Sequence, residues 1–242
     1  MNRDFTVFAH RGASSYAPGN TMLAFYLGVW MRADGIETDV RRTKDGKLVL
    51  FHDTTIRKLT GIEDETRLLK DYTYAELCDM PFHSRKSDQI DRIPLFEDFL
   101  DKFGWRDLHF AIELKEDGTE DEVLALLEKY DLRKKTTVTS FTFDRIAEIK
   151  RLRPDYRVGW LRQDLGEEEL AAARSIGAEQ VCPRACNVTA EKIRAWHDAG
   201  FEVRTWGVLD EALMRLVYDC GADGTTVNFP DLLLAYMKEN PR

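Results

Sequence analysis

The sequence predicts a (β/α)8 barrel of the α/β class, a TIM barrel, with one extra antiparallel hairpin strand and a small insertion after it. Three observations carry this expectation. Eight short apolar or β-branched segments alternate with helical patterns along the 242 residues. Glycine recurs where a helical pattern gives way to a strand. One further apolar segment breaks the alternation, because it follows its predecessor too closely for a crossover. An open doubly wound sheet remains the competing architecture at this point.

Taken in order, the parallel strands are expected at 6–10, 36–40, 109–114, 136–141, 157–161, 180–183, 202–208 and 224–227. Helices are expected over 143–152, over the Glu- and Ala-rich 167–176, and over 190–199. Asp210 can cap the next helix, with Leu213, Leu216, Val217 and Cys220 as its apolar stripe. Earlier, Thr119 and Glu122 have capping-box spacing ahead of Val123, Leu126, Leu127 and Tyr130. Gly35, Gly177, Gly200 and Gly221 stand where left-handed helix caps are wanted.

The odd segment is 48–52, which follows 36–40 after the short turn Lys44-Asp45-Gly46. A parallel return needs a dozen or more residues, so these two segments must form an antiparallel hairpin. A turn centred on Asp45 sets Thr38 opposite His52 and returns His52 to the neighbourhood of Glu37 and Asp39. The polar stretch 54–94 is expected to form a small lobe over the barrel mouth, within a single domain spanning 1–242.

Hydrophobic residues make up 43% of the chain, enough for a substantial core, and the net charge is −8. That charge argues against nucleic acid or an anionic membrane as the main partner, but permits a small anionic substrate bound by local positive charge. Cys78, Cys182, Cys186 and Cys220 lack paired zinc spacing and read as reduced, mostly buried thiols. Met1 to Asp4 runs directly into an apolar strand, leaving no secretory leader, and no apolar run approaches a membrane span. A cytoplasmic protein without stable membrane insertion is expected.

The chemistry gathers at the strand exits. Glu37 and Asp39 are two apart on one strand, so they face the same way, while Ile36 and Val40 face the other. Facing outward, the two acids would pair with Arg41, Arg42 or Lys44. Facing inward, they would hold a divalent ion. Glu113 lies in the apolar strand Phe110-Ala-Ile-Glu-Leu-Lys115 and is costly to bury unless paired or metal-bound. It is the natural third ligand, or else a partner for Lys115. An all-oxygen set favours Mg2+, Mn2+ or Ca2+. His10 and His52 end apolar strands beside this cluster and suit acid/base catalysis near neutral pH. His83, His109 and His197 lack such company and read as structural or exposed.

Arg11 and Lys115 suit a phosphate, although Arg11 could simply pair with an acid. The charges of three carboxylates, one divalent ion, one phosphodiester and two cations cancel. Trp206, read as ending a late barrel strand, can pack against a glycerol or alkyl moiety, or only against the core.

The segment Phe8-Ala-His-Arg-Gly-Ala-Ser-Ser-Tyr-Ala-Pro-Gly-Asn-Thr21, with Glu37-Thr-Asp39, Phe51-His-Asp53 and Ile112-Glu-Leu-Lys115, resembles the glycerophosphodiester phosphodiesterase family. Thr139-Ser-Phe141, Thr205-Trp206 and Gly221-Ala-Asp-Gly224 extend the likeness over most of the chain. The resemblance implies a TIM barrel that hydrolyses deacylated phospholipids, such as glycerophosphocholine or glycerophosphoethanolamine, to sn-glycerol 3-phosphate and an alcohol. It implies Glu37, Asp39 and Glu113 as metal ligands, His10 and His52 as the acid/base pair, Arg11 and Lys115 as phosphate contacts, and Trp206 as a substrate-side aromatic. Its mechanism is an attack by the glycerol hydroxyl next to the phosphate, with water opening the resulting cyclic phosphate.

The chain departs from the family pattern at Gly19, usually Glu, and at Asn228, often Asp. Two rival readings follow. One is a barrel phosphodiesterase acting on lysophospholipids or inositol lipids, for which the insertion offers only Tyr72, Tyr74, Met80 and Phe82 as an apolar rim. The other is a degenerate barrel that binds phosphate compounds without turnover, motivated by Gly19 alone.

Overall fold

The computed structural model describes residues 5–80, 82–84 and 87–242. In chain order its elements begin β1 (Thr6–His10), α1 (Met22–Trp30), β2 (Gly35–Arg42), β3 (Leu48–Leu50), α2 (Arg57–Thr60), α3 (Tyr74–Cys78), β4 (Phe82–Ser84), β5 (Ser87–Asp91) and α4 (Phe96–Phe103). They continue β6 (His109–Leu114), α5 (Glu120–Lys129), β7 (Thr136–Ser140), α6 (Phe143–Leu152), β8 (Arg157–Arg162) and α7 (Glu167–Ser175). The chain finishes with β9 (Gln180–Pro183), α8 (Ala190–Asp198), β10 (Glu202–Val208), α9 (Glu211–Asp219), β11 (Gly224–Val227) and α10 (Pro230–Glu239).

Eight parallel strands close into a ring, β1-β2-β6-β7-β8-β9-β10-β11 and back to β1. Closure rules out the open sheet. Strand β3 stands outside the ring, antiparallel to β2, with Val40 opposite Leu50 and Arg42 opposite Leu48. The ladder stops at Leu50, two residues short of the expected end. The Phe51 N–H still donates to the Asp39 carbonyl at 3.0 Å, so His52 returns beside the end of β2.

Side-chain alternation on the strands separates two environments. Ile36, Val40, Phe110, Ile112, Val138, Val158, Val181 and Val203 pack outward under the helices, in one cluster with Phe25, Phe99, Leu127, Ile149, Ile193 and Val217. Phe99 alone touches Phe25, Phe96, Phe103 and Phe110 ring to ring, and so joins α1 and α4 to the β6 strand. The opposite parity, which includes Glu37, Asp39 and Glu113, faces into the barrel. A second, smaller apolar cluster of Val49, Phe51, Ile56, Leu59, Leu69, Leu77 and Ile93 holds the insertion to the hairpin.

Four local expectations need correction. Thr119 does not cap α5; its hydroxyl donates to the Glu116 carbonyl, and Glu122 pairs with Arg42 instead of closing a capping box. Gly35 is not a left-handed cap. A Cβ there would lie 2.6 Å from the His109 carbonyl oxygen and from the Phe8 ring, so close strand approach demands glycine, and Arg32 (φ 64°) takes the left-handed turn after α1. Helix α9 buries Met214, Val217 and Tyr218 and leaves Leu216 40% exposed, because Tyr218 turns toward Phe5 of the barrel. All four cysteines are free, but Cys182 alone is buried, and Cys186 is exposed. The side chains of His83 and Phe82 lie outside the described residues. No helix among the described residues is long and apolar enough to cross a membrane.

Candidate active site

Two neighbouring strands, β2 and β6, bring the acids together, and β1 sets a histidine beside them. The β1–β2 register sets His10 against Glu37, and the β2–β6 register sets Asp39 against Glu113. Glu37, Asp39 and Glu113 are all buried, and each offers a ligand atom within 4.8 Å of the others. They face inward, so the outward pairing with Arg41 or Arg42 does not form; those arginines bind Glu116 and Glu122.

Both site cations lie against the acids. Arg11 Nε is 3.0 Å from Asp39 Oδ2. Lys115 Nζ is 2.5 Å from Glu113 Oε1 and 3.1 Å from Asp39 Oδ1. Asn20, itself held by the Thr38 hydroxyl, donates to Asp39 Oδ2 at 2.7 Å. Burial opposes the Asp39 charge, but Arg11 and Lys115 outweigh it and hold Asp39 well below the usual carboxylate range. Glu37 goes the other way: burial, then the Asp39 charge, pushes it up to about 8. Burial likewise pushes Glu113 up to about 7, against the pull of Lys115. The cage therefore holds more negative charge than its two cations settle.

A divalent cation fits this donor set. The ligands are oxygen only, two of them are driven toward protonation by burial, and the buried Asp39 Oδ1 receives no hydrogen bond beyond its ion pair.

The Arg11 N–H reaches both the Glu37 carbonyl (2.9 Å) and Glu37 Oε2 (3.0 Å), which places the guanidinium over β2. This needs a tight turn. Arg11 has φ 56° and Gly12 φ 78°, and a Cβ on Gly12 would lie 2.3 Å from the Ala24 carbonyl carbon. Only glycine fits there.

The two histidines are held differently. His10 Nδ1 meets the Asn228 side-chain oxygen at 2.6 Å, and Ser14 donates to the same oxygen at 2.8 Å. His10 Nε2 points to Glu37 Oε2, 3.8 Å away. His52 Nδ1 meets Asp53 Oδ1 at 2.6 Å, and Lys58 Nζ lies 3.1 Å from Asp53 Oδ2. The His52 carbonyl accepts from Arg41 Nε and Nη2 at 3.1 and 2.9 Å. Burial, then Arg11, pushes His10 down to about 3; burial also lowers His52, against the pull of Asp53. The two imidazoles lie close enough to each other, and to Asp39, for their charges to interact.

Trp206 reaches the site through the Phe141 ring. Lys115 Nζ lies 5.8 Å from the Phe141 centroid, and Phe141 meets Trp206 edge-on at 4.8 Å. Trp206 is partly exposed and sits at an irregularity in β10 rather than at its end, beside Gly207 (φ 75°). Phe141 and Asn228 each lie just past a barrel strand, and Asp53 directly follows His52; residues at those exits are where barrel sites are built. His197 pairs with Asp223 at 2.8 Å, and His109 is exposed at the start of β6. Neither joins the cluster.

A sequence profile of the glycerophosphoryl diester phosphodiesterase family matches residues 10–232. The chain belongs to that family. A Bacillus altitudinis protein named glycerophosphodiester phosphodiesterase is 31% identical, over 96% of this chain and 98% of its own. The fold is similar to that of a solved Silicibacter pomeroyi protein, with a TM-score of 0.90 at 23% identity over 99% of this chain and 95% of that one. It is also similar to an Oleispira antarctica phosphodiesterase solved in complex with the product sn-glycerol-3-phosphate, with a TM-score of 0.83 at 22% identity over 96% of each chain. The structural likenesses bear on the barrel alone. Family membership rests on the profile and on relatives such as the first.

Proposed function

We propose that this chain hydrolyses glycerophosphodiesters to sn-glycerol 3-phosphate and an alcohol, with one divalent cation held by Glu37, Asp39 and Glu113. The observation that carries this reading is the buried three-carboxylate cluster within 4.8 Å, flanked by two cations and two separately oriented histidines. Family membership supports it. So does the name of the Bacillus altitudinis relative, and the product bound by the Oleispira antarctica phosphodiesterase fits the same chemistry.

The residues divide the work. Arg11 and Lys115, already poised over the acids, turn their donors to the diester oxygens. A divalent cation held by Glu37, Asp39 and Glu113 would supply the positive charge that balances the acids and would act as a Lewis acid for the diester. One histidine takes the proton of the glycerol hydroxyl beside the phosphate as its oxygen attacks phosphorus. The other gives a proton to the departing alkoxide, and the roles reverse as water opens the cyclic phosphate. Asn228 and Asp53 each engage an Nδ1, so both histidines present Nε2 to substrate. Phe141 and Trp206 wall the far side of the site.

The insertion does not favour a lipid substrate. Tyr72, Tyr74 and Met80 pack against its own apolar cluster, and Ile62, 53% exposed, is the insertion's exposed large apolar side chain among the described residues. The test is release of glycerol 3-phosphate from a panel of glycerophosphodiesters, set beside lysophosphatidylcholine. The reading predicts turnover of the water-soluble diesters; turnover of lysophosphatidylcholine alone, or of none, would overturn it.

A further inference from the structure

The four strands that follow β6 round the ring, β7 to β10, carry a second set of side chains at or near their exits. Phe141 follows β7, Arg162 ends β8, Arg184 follows β9 and Trp206 lies in β10. The Arg162 carbonyl accepts both the Trp206 indole N–H and the Arg184 backbone N–H, each at 3.1 Å. That shared acceptor fixes the indole plane and starts the Arg184 side chain beside it. The Arg184 guanidinium lies 5.8 Å from the centre of the indole ring. Gly207 (φ 75°) follows the indole in a left-handed conformation, and a Cβ there would lie at ordinary contact distance from Arg184 Cγ.

Arg184 differs from the other cations at this end of the barrel. Arg11 has Asp39, Lys115 has Glu113, Arg41 has Glu116, Arg162 has Glu169 and Arg145 has Asp117. Arg184 has an amide, Gln163 Oε1 at 3.3 Å, and no carboxylate partner among the described residues. A guanidinium with a weak neutral partner keeps most of its donors available.

We propose that Arg184 is a specificity-determining residue for the alcohol side of the diester. It selects head groups rich in hydroxyl or anionic oxygens over quaternary ammonium head groups. The inference rests on the hydrolytic reading above. The attacking glycerol hydroxyl must stay by the cage and the histidines, so the head group is the part of the substrate that extends away. The contacts from Lys115 to Phe141 to Trp206 to Arg184 lead that way. An exposed indole face would attract a quaternary ammonium. Here a guanidinium already occupies that face, repels a second cation and offers donors to oxygen instead.

The experiment compares kcat/KM for glycerophosphoinositol and glycerophosphocholine in the wild type, Arg184→Met and Arg184→Lys, at saturating Mg2+, reading glycerol 3-phosphate. The wild type prefers glycerophosphoinositol. Arg184→Met shrinks that preference about five- to tenfold, through loss on the inositol substrate and gain on choline. Arg184→Lys, which keeps the charge, restores the preference to within about twofold of wild type. A wild-type preference for choline overturns the inference, as does an unchanged ratio in Arg184→Met, including an equal loss on both substrates. Failure of the wild type to release glycerol 3-phosphate from either substrate is a different result: it overturns the hydrolytic reading and takes this inference with it.

Discussion

His10 and Asn228, 218 residues apart in the chain, are joined by a 2.6 Å hydrogen bond between the imidazole Nδ1 and the amide oxygen. The bond ties the exit of β1 to the exit of β11 and leaves His10 Nε2 facing the acids. Because the partner is an amide, it orients His10 without lending it negative charge. Asn228→Ala should lower kcat about 10- to 100-fold and leave metal affinity within about twofold. Asn228→Asp adds a negative charge, so the His10 pKa rises and the limb it sets in the pH–rate profile moves about one unit upward. An unmoved profile in the Asp variant would remove His10 from the proton-transfer pair.

His52 has an anionic partner instead. Asp53 holds its Nδ1 at 2.6 Å, and Lys58 lies 3.1 Å from the same carboxylate. Asp53→Asn should cost about 10²-fold in kcat with KM little changed, because tautomer and charge support are lost while substrate contacts remain. Lys58→Met, on a half-exposed side chain, should cost less than about threefold. Steady-state kinetics of the two variants separate these outcomes. Equal, small losses in both would make the His52–Asp53 contact merely structural.

Position 19 tests the missing acid. A Cβ there would lie 3.1 Å from Arg11 Cβ and 3.2 Å from Ser14 Cβ, so Gly19→Glu needs only small shifts and lands beside Arg11. The added carboxylate would compete with Asp39 for the guanidinium and free Asp39 to bind cation. Metal affinity should rise about threefold to tenfold, or turnover should rise with it. Calorimetric titration of Mg2+ into both proteins reads the affinity; identical affinity and rate would make the glycine neutral.

The raised carboxyl groups set a pH dependence for the metal-free protein. Glu37 is pushed up to about 8 and Glu113 to about 7, so between pH 6.5 and 8 the folded chain holds more protons than the unfolded chain. Stability then falls as pH rises through this window. The lowered His10 and His52 act in the opposite sense below about pH 6.5, where the unfolded imidazoles charge first, and drop out above it. Melting curves in chelator should show Tm falling from pH 6.5 to 8, and excess Mg2+ should flatten or reverse the trend because binding favours the ionised acids. A metal-free Tm that rises across the window would contradict the assignment of these groups.

Much of the barrel and its acid cage was legible because strand parity is local. Glu37 and Asp39 share a face because they are two apart, and Ile36 and Val40 reveal which face is apolar. His10, His52 and Glu113 were visible as polar residues closing apolar strands. The cage cations were only half legible. The competing expectations of ion pairs for Arg11 and Lys115 proved geometrically right, since the same acids that suit a metal also attract cations. Asn228 and Phe141 meet His10 and Trp206 only through distant strands, so no spacing announced those contacts, whereas Asp53 directly follows the His52 that it holds. The Thr119 cap failed for a related reason: the Glu116 carbonyl and Arg42 were better partners than the local box. The α9 stripe was misjudged because its buried face follows the ring contact between Tyr218 and Phe5.

One catalytic divalent cation on Glu37, Asp39 and Glu113 is what the proposed hydrolysis depends on. Its most direct measurement follows glycerol 3-phosphate release while Mg2+ is titrated back into chelator-treated protein, wild type and Asp39→Asn in parallel. Without metal no release is expected; recovery should saturate at one ion per wild-type chain, and the variant should stay at least about 10²-fold slower at every concentration. Full activity in the chelator-treated wild type, or recovery by Asp39→Asn along the same curve, would contradict this dependence.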